Sequence, residues 1–323
     1  MNARLILGTA KGYQFSQIRD FVRSWNSAVK RSTLVLFVDR TLASGSRTQL
    51  EAAGVILHTL PRLLTERSAL ARRLLQSFHL APVHRWLAAR MPPAGEAQPR
   101  DVLRWFRLAE EFHHIACSRY SHYLNYLQEA GDSVTHVLLT DVRDVLFHAD
   151  PFADAPTAGL VCGLETSLVT LSTQPANAGW LDYAYGRERW LSFSDRRVSC
   201  SGATLGTLRA IRQYLTCMSA EIIRLTPRLV GQDGLDQGVH NYLLNTGRLP
   251  PVRLVENGEG VFATLHGEDL AVFAQDVQGR LLNRDGRLVP LVHQYDRHPA
   301  LAASLVASLP AEDQSSAASV AHP

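Results

Sequence analysis

Runs of apolar residues alternate with segments of helical periodicity along the first part of the chain. Strand-like runs cover residues 4–7, 33–39 and 54–58, and a helix-like segment at 15–25 separates the first two. This alternation is typical of a parallel sheet with helices on its faces. It predicts an α/β fold whose ligands bind outside the carboxyl ends of the strands.

The second half of the chain continues the alternation less regularly. Apolar spacings of three and four between Leu103 and Leu127 predict one long helix, and further strands are expected at 159–165 and 198–207. A helix is expected at 208–224. Between these strands, residues 166–197 are irregular and rich in aromatic side chains, which could face a sugar or pack against one another.

Residues 62–101 interrupt this rhythm. A helix-like segment rich in Arg and Leu ends at Pro92 and Pro93, which predicts a helical insertion in a single domain of residues 1–305. Residues 306–323 resemble a disordered tail in composition. The basic side chains of the insertion could face an acidic membrane or a partner, or form a solvated helix face. They are Arg67, Arg72, Arg73, Arg85 and Arg90.

Composition narrows the class of protein. The chain has 323 residues, 46% hydrophobic and 20% charged, with a net charge of +3, which is too small to argue for nucleic acid. No apolar run reaches the roughly 18 residues of a membrane helix, and the N-terminal apolar stretch is too short for a signal peptide. Four widely spaced cysteines fit reduced thiols. We therefore expect a cytoplasmic protein, with peripheral contact at the inner membrane face through 62–101 as an option.

The strongest chemical signal is an apolar strand that ends in two acids, Asp141 and Asp144. Carboxylates at a strand end commonly hold a hard divalent cation. Arg143 between them could instead compensate their repulsion, in which case the acids would be structural. Gly8 and Asp39 also stand at predicted strand ends, so that several candidate residues are expected at one edge of the sheet.

Four phrases in the sequence carry a family resemblance. They are TDVRDVLFHADPF from Thr140, SGATLG from Ser201, DQGVHNY from Asp236 and HQYDRH from His293. In the order and spacing of these phrases, the chain resembles the GT-A superfamily of nucleotide-sugar glycosyltransferases. The resemblance extends from about residue 4 to residue 299 of the chain. The resemblance implies a GT-A-like, Rossmann-type mixed sheet, mostly parallel and flanked by helices, within a catalytic domain of residues 1–305.

The resemblance implies a metal site. Asp141 and Asp144 match the acidic metal-binding motif, although the usual spacing is Asp-x-Asp and here the acids are three apart. His293 matches a late metal-binding histidine, whereas taken alone it would more often be a core residue. An imidazole ligand favours Mn²⁺ over Mg²⁺.

The resemblance also implies a donor site for the nucleoside diphosphate sugar. Gly8 and Thr9 match the turn that touches the nucleotide, Lys11 could add charge near the diphosphate, and Asp39 matches an acid on the base or ribose. Arg119 matches an arginine near the diphosphate, with a helix-to-loop salt bridge as the equal alternative.

Four further positions match the region of the transferred sugar. Ser201 and Gly202 match a turn of small residues under the sugar, and Asp236 with Gln237 matches an acid–amide pair beside it. Asp236 could act as general base, hold a donor hydroxyl, or cap a helix, as Asp233 could.

The implied reaction is hexosyl transfer from a nucleoside diphosphate sugar to a hydroxyl of a glycan, lipid-linked or protein acceptor, with retention slightly favoured over inversion. One alternative is a metal-dependent phosphohydrolase, whose chemistry requires an Asp-x-Asp spacing that Asp141 and Asp144 do not have. Another is a non-catalytic sugar-binding module of the same fold. Metal-dependent consumption of a nucleotide sugar, as opposed to a phosphate ester, separates the three.

Overall fold

The computed structural model of the chain describes residues 3–68, 70, 81–131, 133–229 and 235–310. The strands are β1 (Ala3–Thr9), β2 (Thr33–Val38), β3 (Ile56–Thr59), β4 (Val134–Thr140), β5 (Val145–Phe147), β6 (Leu160–Leu164), β7 (Ser199–Thr207), β8 (Val252–Val255), β9 (Phe262–Thr264), β10 (Ala274–Gln275), β11 (Leu281–Leu282) and β12 (Leu291–His293).

Among the described residues, seven strands form the central sheet in the order β3-β2-β1-β4-β7-β6-β8. Only β7 in this sheet runs against its neighbours β4 and β6, and the other pairings are parallel. The predicted α/β class and the mostly parallel sheet are therefore confirmed, and this arrangement is compatible with a Rossmann-like fold.

Helices cover both faces of this sheet. They span Phe15–Ala28, Ser44–Ala52, Leu64–Arg67, Ala81–Arg90, Pro99–Ala109, Ile115–Gln128, Pro175–Tyr185, Leu208–Arg224, Thr226–Leu229, Leu235–Asn245 and Pro299–Ala307. Strand β2 is buried on both faces, with Leu36 in the cluster under the first of these helices and Phe37 in the cluster that contains Tyr123 and Tyr214. The continuous apolar run of β2 follows from this double burial.

The prediction of one long helix between Leu103 and Leu127 is wrong. Two helices, Pro99–Ala109 and Ile115–Gln128, occupy this stretch because the backbone turns out of the helix at His113, whose φ and ψ are −110° and 147°. The imidazole of His114 then accepts a hydrogen bond from the Ala116 amide and caps the second helix. The periodic apolar spacing continues across the break because both helices pack on the same core.

The expectation of an irregular segment at 166–197 is also wrong in part, since helix Pro175–Tyr185 lies within it. Tyr185 stacks on Tyr242 with ring centroids 3.6 Å apart, and Trp190 and Phe193 are buried in the core. These rings therefore pack against other side chains of the protein, which was the second of the two predicted roles, and they are not exposed to a ligand.

The described part of the predicted insertion contains helices and no strand. Helices Ala81–Arg90 and Pro99–Ala109 both pack on helix Leu208–Arg224, which itself packs on β4 and β7 of the central sheet. Residues 69 and 71–80 of the predicted insertion and 311–323 of the predicted tail lie outside the described residues. Within the described ranges, no helix combines the length and apolar character needed to cross a membrane.

A small second sheet completes the architecture around the candidate site. Strand β12 pairs antiparallel with β5 and parallel with β9. The register places His293 opposite Val145, the residue directly after Asp144. Sheet pairing therefore brings a residue near the end of the chain to the acidic strand end.

Candidate metal centre and catalytic site

Asp141, Asp144 and His293 converge where β4 ends and β5 begins. Each can offer one ligand atom, and these atoms lie within 4.8 Å of one another. His293 Nε2 lies 3.4 Å from Asp141 Oδ2 and 3.8 Å from Asp144 Oδ1. The three residues predicted as metal ligands are thus brought together.

Backbone hydrogen bonds hold this geometry in place. The Asp141 amide donates to the Gly202 carbonyl at 2.8 Å, and the Gln294 amide donates to the Asp144 carbonyl at 2.7 Å. Gln294 has a left-handed φ of 57°, a conformation that costs a non-glycine residue free energy. The chain therefore turns sharply away immediately after it has delivered His293.

The imidazole of His293 is buried, and its Nε2 atom has no hydrogen-bond partner within the described part of the protein. Its Nδ1 lies 3.3 Å from the Cys200 sulfur. Burial opposes the charged imidazolium, but Cys200 and the Asp141 carboxylate together raise the pKa of His293 well above its usual value. The nitrogen is thus a buried polar atom aimed at two carboxylates, which a cation or a proton would satisfy.

Gly202 leaves the space that this arrangement needs. A Cβ at this position would lie 2.5 Å from His293 Cε1 and 2.7 Å from Asp141 Oδ2. The prediction placed Gly202 under the donor sugar, and the structure shows that the absence of its side chain keeps the metal-type cluster open.

Arg119, in helix Ile115–Gln128, joins two of the predicted site acids. Its guanidinium donates to Asp141 Oδ1 and, at 2.9 Å, to Asp236 Oδ2. Burial would raise the pKa of Asp141, but the Arg119 charge and His293 hold it well below its usual range. The helix-to-loop salt bridge predicted as the alternative for Arg119 is therefore present, because Asp141 lies in the loop between β4 and β5. Its second partner, Asp236, is also a predicted site residue.

Asp144 has a different electrostatic environment. Burial and the carboxylates of Asp141 and Asp296 raise the pKa of Asp144, against an opposing effect of His293. Arg143, the alternative compensating cation, is 4.0 Å from Asp144 and donates to Asp296 at 3.3 Å, while Arg297 lies 3.9 Å from Asp144. Direct hydrogen bonding to the acidic pair thus comes from Arg119, on the Asp141 side, with Arg143 and Arg297 as more distant charges beside Asp144.

Asp236 lies in the first turn of helix Leu235–Asn245 and is buried. Its Oδ2 accepts hydrogen bonds from Arg119, from the Tyr120 hydroxyl at 3.2 Å and from Ser201 Oγ at 3.4 Å. All three donors use the same oxygen, and within the described residues no side-chain donor is found at Oδ1. Asp233, the other predicted capping residue, lies outside the described residues.

Gln237 takes part in a separate polar cluster. Its Nε2 donates to Glu165 Oε1 at 3.0 Å and to Asn177 Oδ1 at 3.3 Å. Glu165 is buried at the end of β6, and that burial raises its pKa. Because both amide hydrogens are engaged, the Gln237 carbonyl oxygen is the group available to a ligand.

Of the residues predicted to contact the nucleotide, some line a cleft beside the metal-type cluster and others do not. A cleft of about 220 Å³ beside the metal-type cluster is lined by Thr9 and Lys11 together with Arg119, Asp141 and Asp144, among others. Thr9 Oγ1 lies 2.7 Å from the Tyr123 hydroxyl, and the Lys11 ammonium donates to Glu66.

Gly8 and Asp39 lie outside the lining of this cleft. A Cβ on Gly8 would lie 2.3 Å from the Val142 side chain, so the glycine accommodates close packing behind the cleft. Asp39 Oδ1 accepts hydrogen bonds from the amide and hydroxyl of Thr41, which closes a local turn at the end of β2.

Two residues of the site were missed as candidates. Glu165 ends a strand in the same way as Asp39 and Asp141, so its position was a usable signal. Cys200 has no comparable sequence signal, because its contact with His293 joins residues 93 positions apart. The four cysteines are all buried and free, as expected from their spacing.

The donor set suits a divalent cation such as Mn²⁺. One imidazole nitrogen and two carboxylates are an accepted ligand combination, with Asp141 Oδ2 free of Arg119 and the His293 Nε2 unpartnered among described groups. No protein-family model matches the chain, and no curated protein matches it. The functional inference therefore rests on the geometry of the site together with the four sequence phrases that carry the resemblance.

Proposed function

We propose that this protein is a metal-dependent glycosyltransferase of the GT-A type, which moves a sugar from a nucleoside diphosphate sugar to a hydroxyl acceptor. The observation that carries the proposal is the convergence of Asp141, Asp144 and His293 around the unpartnered His293 Nε2, beside the Arg119–Asp236 pair. The cleft lined by Thr9 and Lys11 adjoins this cluster and is the proposed donor site.

The chain's own residues have separable roles in this proposal. Asp141, Asp144 and His293 would hold Mn²⁺ or Mg²⁺, which as a Lewis acid stabilises negative charge on the departing nucleoside diphosphate. Arg119 fixes the positions of the Asp141 and Asp236 carboxylates, since it donates to both. The burial of Asp144, Asp236 and His293 strengthens their electrostatic effect.

Asp236 is proposed to act at the transferred sugar through Oδ1. It could accept a proton from the acceptor hydroxyl or hold a hydroxyl of the donor. The Gln237 carbonyl, fixed by Glu165 and Asn177, would accept a second hydroxyl hydrogen bond. Retention remains the proposed stereochemical outcome, by analogy with the resembling enzymes.

The decisive experiment measures thermal stabilisation by UDP and GDP with and without Mn²⁺. Ligand at 100 times its Kd should stabilise the wild-type protein by about 2.7 kcal/mol. Asp141→Ala and Asp144→Ala should fold and lose the Mn²⁺-dependent part of this stabilisation. Asp296→Ala is the matched control, because Asp296 is an exposed neighbouring acid outside the cluster and should leave the effect intact.

A companion assay follows consumption of nucleotide sugars and of phosphate esters. Asp236→Asn should lower sugar turnover by roughly 10²-fold or more while nucleotide affinity stays near wild type. If Asp236 holds the donor sugar, donor affinity also falls relative to free nucleotide. Consumption of phosphate esters alone would identify a phosphohydrolase, and metal-dependent sugar binding without turnover would identify a binding module.

A further inference from the structure

Two tryptophans and two arginines form a compact surface on helix Ala81–Arg90 of the helical insertion and on helix Pro99–Ala109, which begins at the end of that insertion. This surface is here called the Arg–Trp face (Trp86, Arg90, Arg104 and Trp105). The two indole rings meet edge to face, with centroids 5.0 Å apart and planes at 85°. The Arg90 guanidinium carbon lies 3.7 Å from the Trp86 ring centroid, and that of Arg104 lies 5.0 Å from the Trp105 centroid. These contacts hold cations and rings together at the surface.

The Arg–Trp face points outward because the opposite sides of its two helices are buried. Leu87 in helix Ala81–Arg90 and Phe106 in helix Pro99–Ala109 belong to the main core. Trp86 nevertheless remains 40% exposed, and Arg90 and Arg104 are exposed. A large indole at the surface, with a second one beside it, is an unusual concentration of apolar area for a water-facing helix pair.

The positive charge of this face is not neutralised locally. Neither Arg90 nor Arg104 forms an ion pair with an acidic residue in the part of the chain that the structure describes. By contrast, Arg107 on the same helix pairs with the buried Glu110 at 3.3 Å. Two arginine side chains therefore stay available for an anionic partner.

We propose that the Arg–Trp face docks the protein on a bilayer surface that carries anionic phospholipid. Indole rings favour the headgroup level of a membrane, where one part of the ring meets apolar chains and the N–H stays hydrated. Arginine side chains at that level meet lipid phosphates, which guanidinium groups bind with paired hydrogen bonds. The weak net charge of +3 means that the attraction depends on this local cluster and not on the protein as a whole.

The size of the expected effect follows from the charge count. Each arginine close to an anionic membrane strengthens binding about fivefold, so the two together contribute about 25-fold. Charge reversal removes this attraction and adds repulsion, and the loss should exceed that factor. The attraction should also weaken strongly in high salt, because surface charges are screened beyond a Debye length.

The test uses the full-length protein and co-sedimentation with vesicles of phosphatidylcholine containing about one third phosphatidylglycerol. Arg90→Glu/Arg104→Glu should lose at least about 25-fold in partitioning, and Trp86→Ala should weaken it with little change in salt dependence. The matched control is Arg209→Glu/Arg253→Glu, two exposed arginines outside the insertion that give the same change in net charge. Thermal melting of every variant checks that folding is intact.

The outcomes separate charge-driven membrane docking from its alternatives. Binding of wild type to the anionic vesicles, with loss in the first double variant and retention in the control, supports the proposal. Absence of wild-type binding, equal binding by both double variants, or equal binding to pure phosphatidylcholine vesicles overturns it. An acidic protein or nucleic acid that binds this face while anionic vesicles do not also overturns it. None of these results depends on the proposed glycosyl transfer.

Discussion

Two sides of the sheet's carboxyl edge differ in how their polar groups are satisfied. On the β1–β2 side, Lys11 pairs with Glu66 and Asp39 closes a turn with Thr41. On the β4–β12 side, His293 Nε2 has no hydrogen-bond partner among the described groups although it is buried between two carboxylates. Both sides stand at strand ends. Of the two, and among the described residues, the second side contains a buried polar atom, His293 Nε2, whose missing interaction a ligand can supply.

The difference has a physical origin in the number of chain segments that meet on each side. On the β1–β2 side the polar groups are satisfied in separate pairs, Asp39 with Thr41 two positions away and Lys11 with Glu66 55 positions away. The β4–β12 side joins helix Ile115–Gln128, β4, β7, helix Leu235–Asn245 and β12 through side-chain contacts and through backbone hydrogen bonds. Charged groups brought together from distant segments must be compensated by one another. His293 Nε2 is the atom for which the described residues supply no hydrogen bond.

Arg119→Leu should have the largest effect, because it leaves the Asp141 and Asp236 carboxylates without their shared cation. Breaking a buried ion pair from one side should lower the free energy of unfolding by about 3–5 kcal/mol, and urea denaturation measures it. Arg143→Leu is the control, since Arg143 is exposed and its ion pairs should contribute less than about 1 kcal/mol. Equal losses in the two variants would remove the distinction between the buried and exposed arginines.

Gly202→Ala should come next. The added Cβ would meet His293 and Asp141 at less than 3 Å, so the cluster must shift, at about 1–3 kcal/mol. Mn²⁺ affinity, measured by calorimetry, should fall at least about tenfold, because ligand geometry is disturbed. Gly45→Ala adds a Cβ where nothing lies within 4 Å and should leave Mn²⁺ binding unchanged. Wild-type Mn²⁺ affinity in Gly202→Ala would argue against a cation site at this cluster.

The pH dependence should separate the metal-free and metal-bound proteins. The raised pKa of His293 stabilises the metal-free fold fully below about pH 6.5, and this contribution is lost as the pH rises through the folded pKa. Cation binding requires Nε2 without its proton, so below that pKa each pH unit should weaken Mn²⁺ affinity about tenfold. Calorimetry across the pH range measures the slope, and His293→Gln should flatten it. An affinity independent of pH in the wild type would contradict the role of His293.

The smallest effects are expected on the β1–β2 side. Lys11→Ala removes a partly exposed ion pair and should change the free energy of unfolding by less than about 1 kcal/mol. Nucleotide affinity in the same variant then reports whether Lys11 leaves Glu66 to contact a diphosphate. Glu66→Ala is the matched variant, because it frees Lys11 and should strengthen nucleotide binding. If Glu66→Ala binds nucleotide more weakly than the wild type, the Lys11–Glu66 ion pair has a structural role and Lys11 does not contact the diphosphate.

The acidic strand end was visible in the sequence because apolar runs mark where strands end, whereas the late histidine and the Asp-Gln helix start were identified through the family resemblance. The break between helices Pro99–Ala109 and Ile115–Gln128 was not, since apolar periodicity reports the buried face and continues across a turn. The helix inside 166–197 was also missed, because its aromatic residues suggested a loop and its core contacts with Tyr242 come from elsewhere in the chain.

The sequence by itself determined the α/β class and which residues stand at the strand ends, because both follow from local apolar patterning. Only the tertiary structure decided which of those residues meet. It paired Arg119 with Asp141 and Asp236, where the sequence offered Arg143 as an alternative compensating cation. It also placed His293 opposite Val145 through a second sheet. Such pairings depend on strand register and on helix packing between segments 22 to 148 residues apart, which no local pattern encodes.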